Sequence, residues 1–229
     1  MPEEVARRLL YGRHKGHKLR PRQAGLLKTL LPRLRIPLAE ACPADVRTLF
    51  RAPVDAVHLE IGFGGGEHLA FRAAENPGTA FIGCEPFVNG VAKLLVEIEE
   101  RALSNVRVHD DDARQAIDWL PAGSLDCVWL LYPDPWPKRR HRKRRFLTGN
   151  NLDALARVMK SGAELRFATD IADYADRSLR VIAGRRDFEW TARRADDWRI
   201  PWRPWPGTRY EEKAIRAGRT PCYLTFRRL

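Results

Sequence analysis

No stretch of this 229-residue chain approaches the roughly 18 consecutive apolar residues of a membrane-spanning helix, so no transmembrane segment is expected. Cysteine is scarce: Cys42, Cys84, Cys127 and Cys222 stand far apart and form no C-x-x-C pair. That argues against a zinc site and against a dithiol redox pair. The six histidines are equally dispersed, so no metal is expected. Met1–Leu10 carries Glu3, Glu4, Arg7 and Arg8 and lacks the apolar core of a secretory signal. Together these absences favour a reduced, cytoplasmic setting. Cys84 and Cys127 lie inside apolar runs and read as small core residues. Acidic residues are also in deficit, 29 against 41 Lys and Arg, which leaves a net charge of +12. Such an excess favours a polyanionic partner, nucleic acid before an anionic membrane surface.

What is present divides into three regions. Residues 1–52 are basic and interrupted by proline and glycine. Residues 53–190 alternate strand-like and helix-like segments, and residues 191–229 are rich in Trp, Pro and Arg and end in one strand-like run. In the middle region, Val54–Ile61, Ala80–Cys84, Val106–His109, Leu125–Tyr132 and Glu164–Ala168 read as strands. Helical patterns follow them near Glu67–Glu75, Asn89–Ala102, Ala113–Leu120, Arg144–Met159 and Ala172–Ala183. This alternation predicts an α/β fold, a mostly parallel twisted sheet covered by helices. Functional residues are then expected beyond the carboxyl ends of the strands.

Four acids stand at four successive strand ends: Glu60, Glu85, Asp112 and Asp134. Glu60 is followed by Ile-Gly-Phe-Gly-Gly-Gly, in which Gly62 and Gly64 permit a sharp turn and close approach by a ligand. A dinucleotide fingerprint starting at Gly62 would need glycine at position 67, where Glu67 stands. An acid before the loop disfavours a pyrophosphate and suits a cationic or hydroxyl-bearing ligand. Glu85 is placed to accept hydrogen bonds from ribose hydroxyls, a device common to several nucleotide-binding families. Of Asp110, Asp111 and Asp112, one can meet an adenine amino group and another can cap the next helix.

The most informative segment is 133–145, Pro-Asp-Pro-Trp-Pro-Lys-Arg-Arg-His-Arg-Lys-Arg-Arg. Asp134 is held between prolines that restrict its backbone. Trp136 either stacks on a base or packs the loop. The cations that follow, Arg142, Arg144 and Arg145 among them, suit an RNA phosphate backbone. The basic stretch Arg7–Arg22 is a second candidate RNA surface. Segment 198–205 interleaves tryptophans with cations, which fits either base stacking or a packed loop.

These residues resemble the bacterial tRNA (guanine-N7)-methyltransferases. The matching segments are Glu60–Gly66, Gly83–Glu85, Asp112-Ala113, Tyr132–Lys138, Arg142–Phe146, Ala168–Asp170 and Thr208–Glu211. They run in order over about residues 57–219. Pro137 and Tyr210 depart from the commoner histidine and phenylalanine. The resemblance implies a single Rossmann-like class I S-adenosylmethionine-dependent methyltransferase domain over 53–229, preceded by a partly flexible basic extension, 1–52, that contacts tRNA. It implies that Glu60, Glu85, Asp112 and Asp134, with the Gly62 and Gly64 loop, hold S-adenosylmethionine. It implies that Lys138, Asp170, Thr208, Arg209, Tyr210 and Glu211 meet the tRNA, with Asp134 as the active-site residue and guanosine 46 of the variable loop as the target. A monomer is expected. The readings set beside this one are methylation of another RNA position, a noncatalytic RNA-binding protein with a cofactor-like pocket, and a nucleotide-dependent dehydrogenase.

Overall fold

The computed structural model describes residues 14–229. Seven strands form one sheet: β1 (Ala56–Ile61), β2 (Thr79–Cys84), β3 (Val106–His109), β4 (Leu125–Leu131), β5 (Met159–Thr169), β6 (Phe188–Trp190) and β7 (Cys222–Arg228). Their order is β3-β2-β1-β4-β5-β7-β6. The first five pair in parallel, and β7 runs antiparallel between β5 and β6. Register aligns Ile61 with Cys84 and with Leu130, so the carboxyl ends of β1, β2 and β4 open on one side. The order reverses at β1, where chains of this topology bind ligands.

Helices α1 (Pro21–Thr29), α2 (Leu31–Leu34), α3 (Glu67–Glu75), α4 (Val88–Glu100), α5 (Ala113–Trp119), α6 (Gly149–Val158), α7 (Ala172–Ala183), α8 (Asp196–Arg199) and α9 (Arg209–Arg216) complete the fold. The inner strands are apolar on both faces, as a sheet covered twice must be. Helix α4 buries Val91, Leu94, Leu95 and Ile98, a helical spacing, in one core cluster with Leu69 and Phe81. Ile117, Leu152, Leu155 and Tyr174 join Leu59, Val128 and Phe167 in another. On β4, Cys127, Trp129 and Leu131 form a third patch, packed against Trp202 and Trp205. The Trp-rich segment is therefore a packed cover for the sheet, the second of its two sequence readings. Trp129 and Trp202 meet edge to face at 5.5 Å.

The basic segment before β1 is attached to this frame. Arg22 pairs with Glu99 and Glu100 of α4, Asn89 bonds Gly16 and His17, and Ile36 N–H donates to Val108 O beside β3. Arg7, Arg8 and Arg13 of the expected RNA-contacting stretch lie outside the described residues.

One expected element begins elsewhere. The helix anticipated from Arg144 starts at Gly149, capped by Thr148, whose hydroxyl accepts from Asn151 N–H at 3.4 Å. Arg139–Arg144 instead forms a 3-10 helix. Cations in a first turn oppose the helix dipole, and like charges four apart repel, so an α-helix is disfavoured there.

Candidate active site

The turn from β1 into α3 is built by glycine. Gly62, Gly64 and Gly66 have φ of 70°, 59° and 81°, a region that side chains disfavour. Gly62 N–H donates to Cys84 O at 2.8 Å, which ties the loop to the end of β2. Gly64 N–H donates to Glu85 Oε2 at 2.7 Å, and Phe87 N–H donates to Glu85 Oε1 at 2.9 Å. Gly90 of α4 lies so close that a Cβ there would meet Gly64 O at 2.0 Å. Loop, strand end and helix are thus locked together by backbone contacts. Burial pushes the Glu85 carboxyl above its usual range, and the two amide donors pull in the opposite direction.

Beside this loop opens a cavity of about 690 Å³, within the size of small-molecule sites. Gly62, Gly64, Glu85 and Asp112 line it, as do Asp134, Trp136 and Tyr210. Asp134 is accessible at its mouth, yet the surrounding walls thin its hydration and raise its carboxyl above the ordinary aspartate range. Tyr132 and Trp136 flank it with positive φ, 49° and 42°. Such values in bulky residues are strained and need support from their surroundings.

Glu60 does not reach this wall. Ile61 lines the cavity, while the buried Glu60 carboxylate sits 2.7 Å from His68 Nδ1. The Glu60 carboxylate, expected to meet the cofactor, here bonds His68 on the face of β1 opposite Ile61, because alternate residues of a strand face opposite sides. Asp112 lines the cavity and also caps α5, accepting Arg114 N–H at 3.0 Å and pairing with the Arg114 guanidinium. Asp110 is taken by Arg35 in a two-pronged pair.

The residues expected to meet RNA separate into several kinds. Lys138 is exposed at the start of the 3-10 helix. Asp170, past β5, pairs with Arg219. Thr208 caps α9 with its hydroxyl accepting Glu211 N–H at 3.1 Å. Arg209 bonds Tyr210 Oη at 3.2 Å, and the Tyr210 ring stands over Gly64. Glu211 is buried and accepts from Trp205 Nε1 at 2.8 Å and from Tyr223 Oη. These donors, with Thr208 N–H, enclose the carboxylate that was expected to meet the tRNA. Arg142 pairs with Asp173 at 2.9 Å, and the Arg144 guanidinium lies 4.9 Å from the Trp136 ring centre. Arg145, expected among the RNA contacts, is 2% exposed, with its guanidinium turned inward.

Sequence reasoning did not single out Phe87, Thr148, Asn150 or Asn151, all on the cavity wall. The Thr-x-x-Asn capping spacing before α6 was the available signal for the last group. Among the described residues, no three or more His, Cys, Asp and Glu side chains gather as a metal site requires. No described helix is long and apolar enough to cross a membrane.

A family model whose description reads "Putative methyltransferase" matches residues 54–224. The chain is 56% identical over 218 residues to a tRNA (guanine-N(7)-)-methyltransferase of Rhizobium meliloti, covering 95% of this chain and 94% of that protein. It is 55% identical to the protein of the same name from Agrobacterium fabrum, over 94% and 93%. Among solved structures it is similar to the 16S rRNA methyltransferase KamB, with a TM-score of 0.58 at 15% identity over 83% and 96% of the two chains. That last likeness speaks for the fold.

Proposed function

The chain belongs to the tRNA (guanine-N7)-methyltransferase family, and from this premise we propose that it methylates N7 of guanosine 46 in the tRNA variable loop. The observation that carries the reading is the cavity at the ends of β1, β2 and β4, with the glycine loop and Glu85 on one wall and Asp134 on another.

The cavity's residues suit S-adenosylmethionine. Each Glu85 oxygen accepts one backbone amide and keeps a lone pair for a ribose hydroxyl. Glu85, Asp112 and Asp134 place three carboxylates on a wall that also carries Arg114, paired with Asp112, and Lys143, Arg144 and Arg145; Glu85 and Asp134 are the acids left to face a cationic ligand. Gly62 lines the cavity with open space where a Cβ would stand, so the backbone itself faces the ligand there. Glu85 and the Gly62–Gly64 loop hold the adenosine end in this reading, and Asp112 borders it. When bound, the cofactor supplies a methyl group carried on a positively charged sulfur.

Guanine N7 has an in-plane lone pair, so no protein base must first remove a proton. The protein's tasks are alignment and stabilisation of the charge that develops on the purine. The Asp134 carboxylate serves the second task and accepts a hydrogen bond from the guanine N1–H or amino group. The walls that partly desolvate Asp134 and raise its carboxyl act in the direction that strengthens both effects. Trp136 lies on the same wall with its ring face available to Arg144. Lys143 lines the cavity, and the exposed cations Lys138, Arg139 and Arg140 lie on the same 3-10 segment, placed to grip phosphates.

The deciding experiment incubates the protein with unmodified tRNA and methyl-labelled S-adenosylmethionine, then maps the label by mass spectrometry of nuclease fragments. N7-methylguanine at position 46, absent when that guanosine is replaced by adenosine, is the expected result. Label at another nucleotide, or none, overturns the proposal.

A further inference from the structure

None of Arg139–Arg144 is buried, whereas the last cation of the run, Arg145, is 2% exposed. Each of its three guanidinium nitrogens makes a hydrogen bond, Nη1 reaching Asp173 O at 3.4 Å. Nε donates to Pro135 O at 2.8 Å, and Nη2 meets Asp173 Oδ2 at 2.5 Å. The group also lies over the Tyr174 ring, 4.7 Å from its centre. Tyr174 is itself fixed to the same stretch, its hydroxyl accepting Phe146 N–H at 3.0 Å. Asp173 and Tyr174 open α7, and Pro135 is the residue after Asp134. Arg145 therefore bridges a rigid helix to the loop that carries the proposed active-site carboxylate.

That loop needs such a bridge. Pro133, Pro135 and Pro137 remove three of its amides as donors. Trp136 holds a strained φ of 42°, which relaxes unless something outside the loop opposes it. A buried guanidinium without its partners is costly, so Arg145 cannot easily let go of Pro135 or Asp173. The geometry that burial imposes on Arg145 is thereby passed to Pro135 and its neighbour.

We propose that Arg145, anchored by Asp173, is a positioning residue that sets the direction of Asp134, a role that rests on the reading of Asp134 as the active-site carboxylate. Lysine at 145 keeps a positive charge near Asp173 but loses the forked donor that spans Asp173 and Pro135 at once. Asparagine at 173 keeps the size and removes the charge. Arg145 lines the cavity alongside Asp134, so Asp173→Asn, which loosens the anchor without replacing a lining side chain, is the cleaner of the two variants.

The test pairs two readouts on the full chain. Hydrogen exchange by mass spectrometry follows the amides of Asp134, Trp136 and Lys138 in peptides covering 132–144. Steady-state kinetics follows kcat and KM for S-adenosylmethionine and tRNA. Arg145→Lys is expected to speed exchange in that peptide and lower kcat by about 10²-fold, the cost of a misplacement near 1 Å, with both KM values little changed. Asp173→Asn acts in the same direction and serves if the buried substitution impairs folding; Asp173→Glu restores part of the loss. In an Asp134→Ala background, Arg145→Lys lowers kcat little further, because residues that act as a unit are not additive. Unchanged exchange in both variants overturns the proposal, as does an equal loss of kcat with and without Asp134. Normal turnover of Asp134→Ala alone refutes the reading of Asp134, and the exchange rates then decide the clamp separately.

Discussion

Replacing Gly90 by alanine tests how closely the cofactor loop is built against α4. A methyl group at position 90 would lie 2.0 Å from Gly64 O and 3.3 Å from Glu85 Cγ. Contacts under 3.0 Å are not tolerated, so helix and loop must separate by about 1 Å. Two stability terms oppose each other. Alanine in a helix gains about 1 kcal/mol over glycine, while overpacking costs about 1–3 kcal/mol. The sum runs from neutral to a loss of about 2 kcal/mol, so the variant folds. Function suffers more, because the atom displaced belongs to the residue whose amide fixes Glu85. Losing a hydrogen bond to a charged group is worth about 1.5–3 kcal/mol, or roughly 10- to 100-fold in Kd for S-adenosylmethionine. Titration calorimetry measures that Kd, and thermal unfolding measures stability. Gly25→Ala is the control: Gly25 lies in α1 with nothing within 4 Å of where a Cβ would stand. It should stabilise by about 0.4–1 kcal/mol and leave affinity unchanged. If Gly90→Ala matches Gly25→Ala in both measurements, the close fit of loop and helix does not matter and the reasoning fails.

Four further outcomes follow from the geometry. Asp134→Ala should lower kcat by about 10²–10³-fold in a protein with a normal unfolding transition; turnover near that of the parent would remove Asp134 from the mechanism. Because burial raises the Asp134 carboxyl, activity should fall as pH drops through a value above the ordinary aspartate pKa of about 3.9, and a rate profile flat down to that value would contradict it. Asp110 is held below its usual pKa first by its hydrogen bonds to Arg35, so its contribution is present above the unfolded pKa and lost as pH falls through the depressed one. Asp110→Asn should cost about 0.5–1 kcal/mol at neutral pH, with the difference vanishing in acid; equal gaps at both pH values in denaturant melts would exclude the linkage. Charge removal at Arg140 and Lys143 should reduce the log–log salt slope of tRNA binding by about 0.7–0.9 per lost phosphate contact, and an unchanged slope in filter binding would move the RNA surface elsewhere.

The parallel core was legible because its strands are short, apolar and separated by helical periods. Val106–His109, Glu67–Glu75 and Ala172–Ala183 fall on their expected bounds. The elements that were missed lack that rhythm. Strand β6 has three residues and is defined by pairing with β7, which no local pattern announces. Helix α9 did leave a signal in Thr208-x-x-Glu211, a capping box in which each side chain satisfies the other's backbone. The same two residues were read as RNA ligands, so one pattern carried two meanings. Arg145 was illegible for a different reason. A dense run of cations hides which member turns inward, since burial depends on Asp173, Tyr174 and Pro135, and the first two lie 28 and 29 residues away in sequence. The Trp-rich segment is explained by Cys127, Trp129 and Leu131, which leave a third apolar patch on the sheet for Trp202 and Trp205 to cover.

The four acids show where sequence position determines direction and where it does not. Glu60 lies inside β1, so the pleat decides its side, and that side holds His68 and Trp129 rather than the cavity. A one-residue shift would have exchanged it with Ile61. Glu85, Asp112 and Asp134 lie past the last residues of β2, β3 and β4, where the ladder no longer dictates alternation. Each is aimed instead by local bonds: Glu85 by two backbone amides, Asp112 by the cap of α5, and the Asp134 loop by its prolines and the hydrogen bond from Arg145 to Pro135. All three reach the cavity. An acid one to three residues beyond a strand end is therefore a stronger candidate for a ligand contact than an acid within the strand. Once released from the pleat, its direction can be set by the requirements of the site.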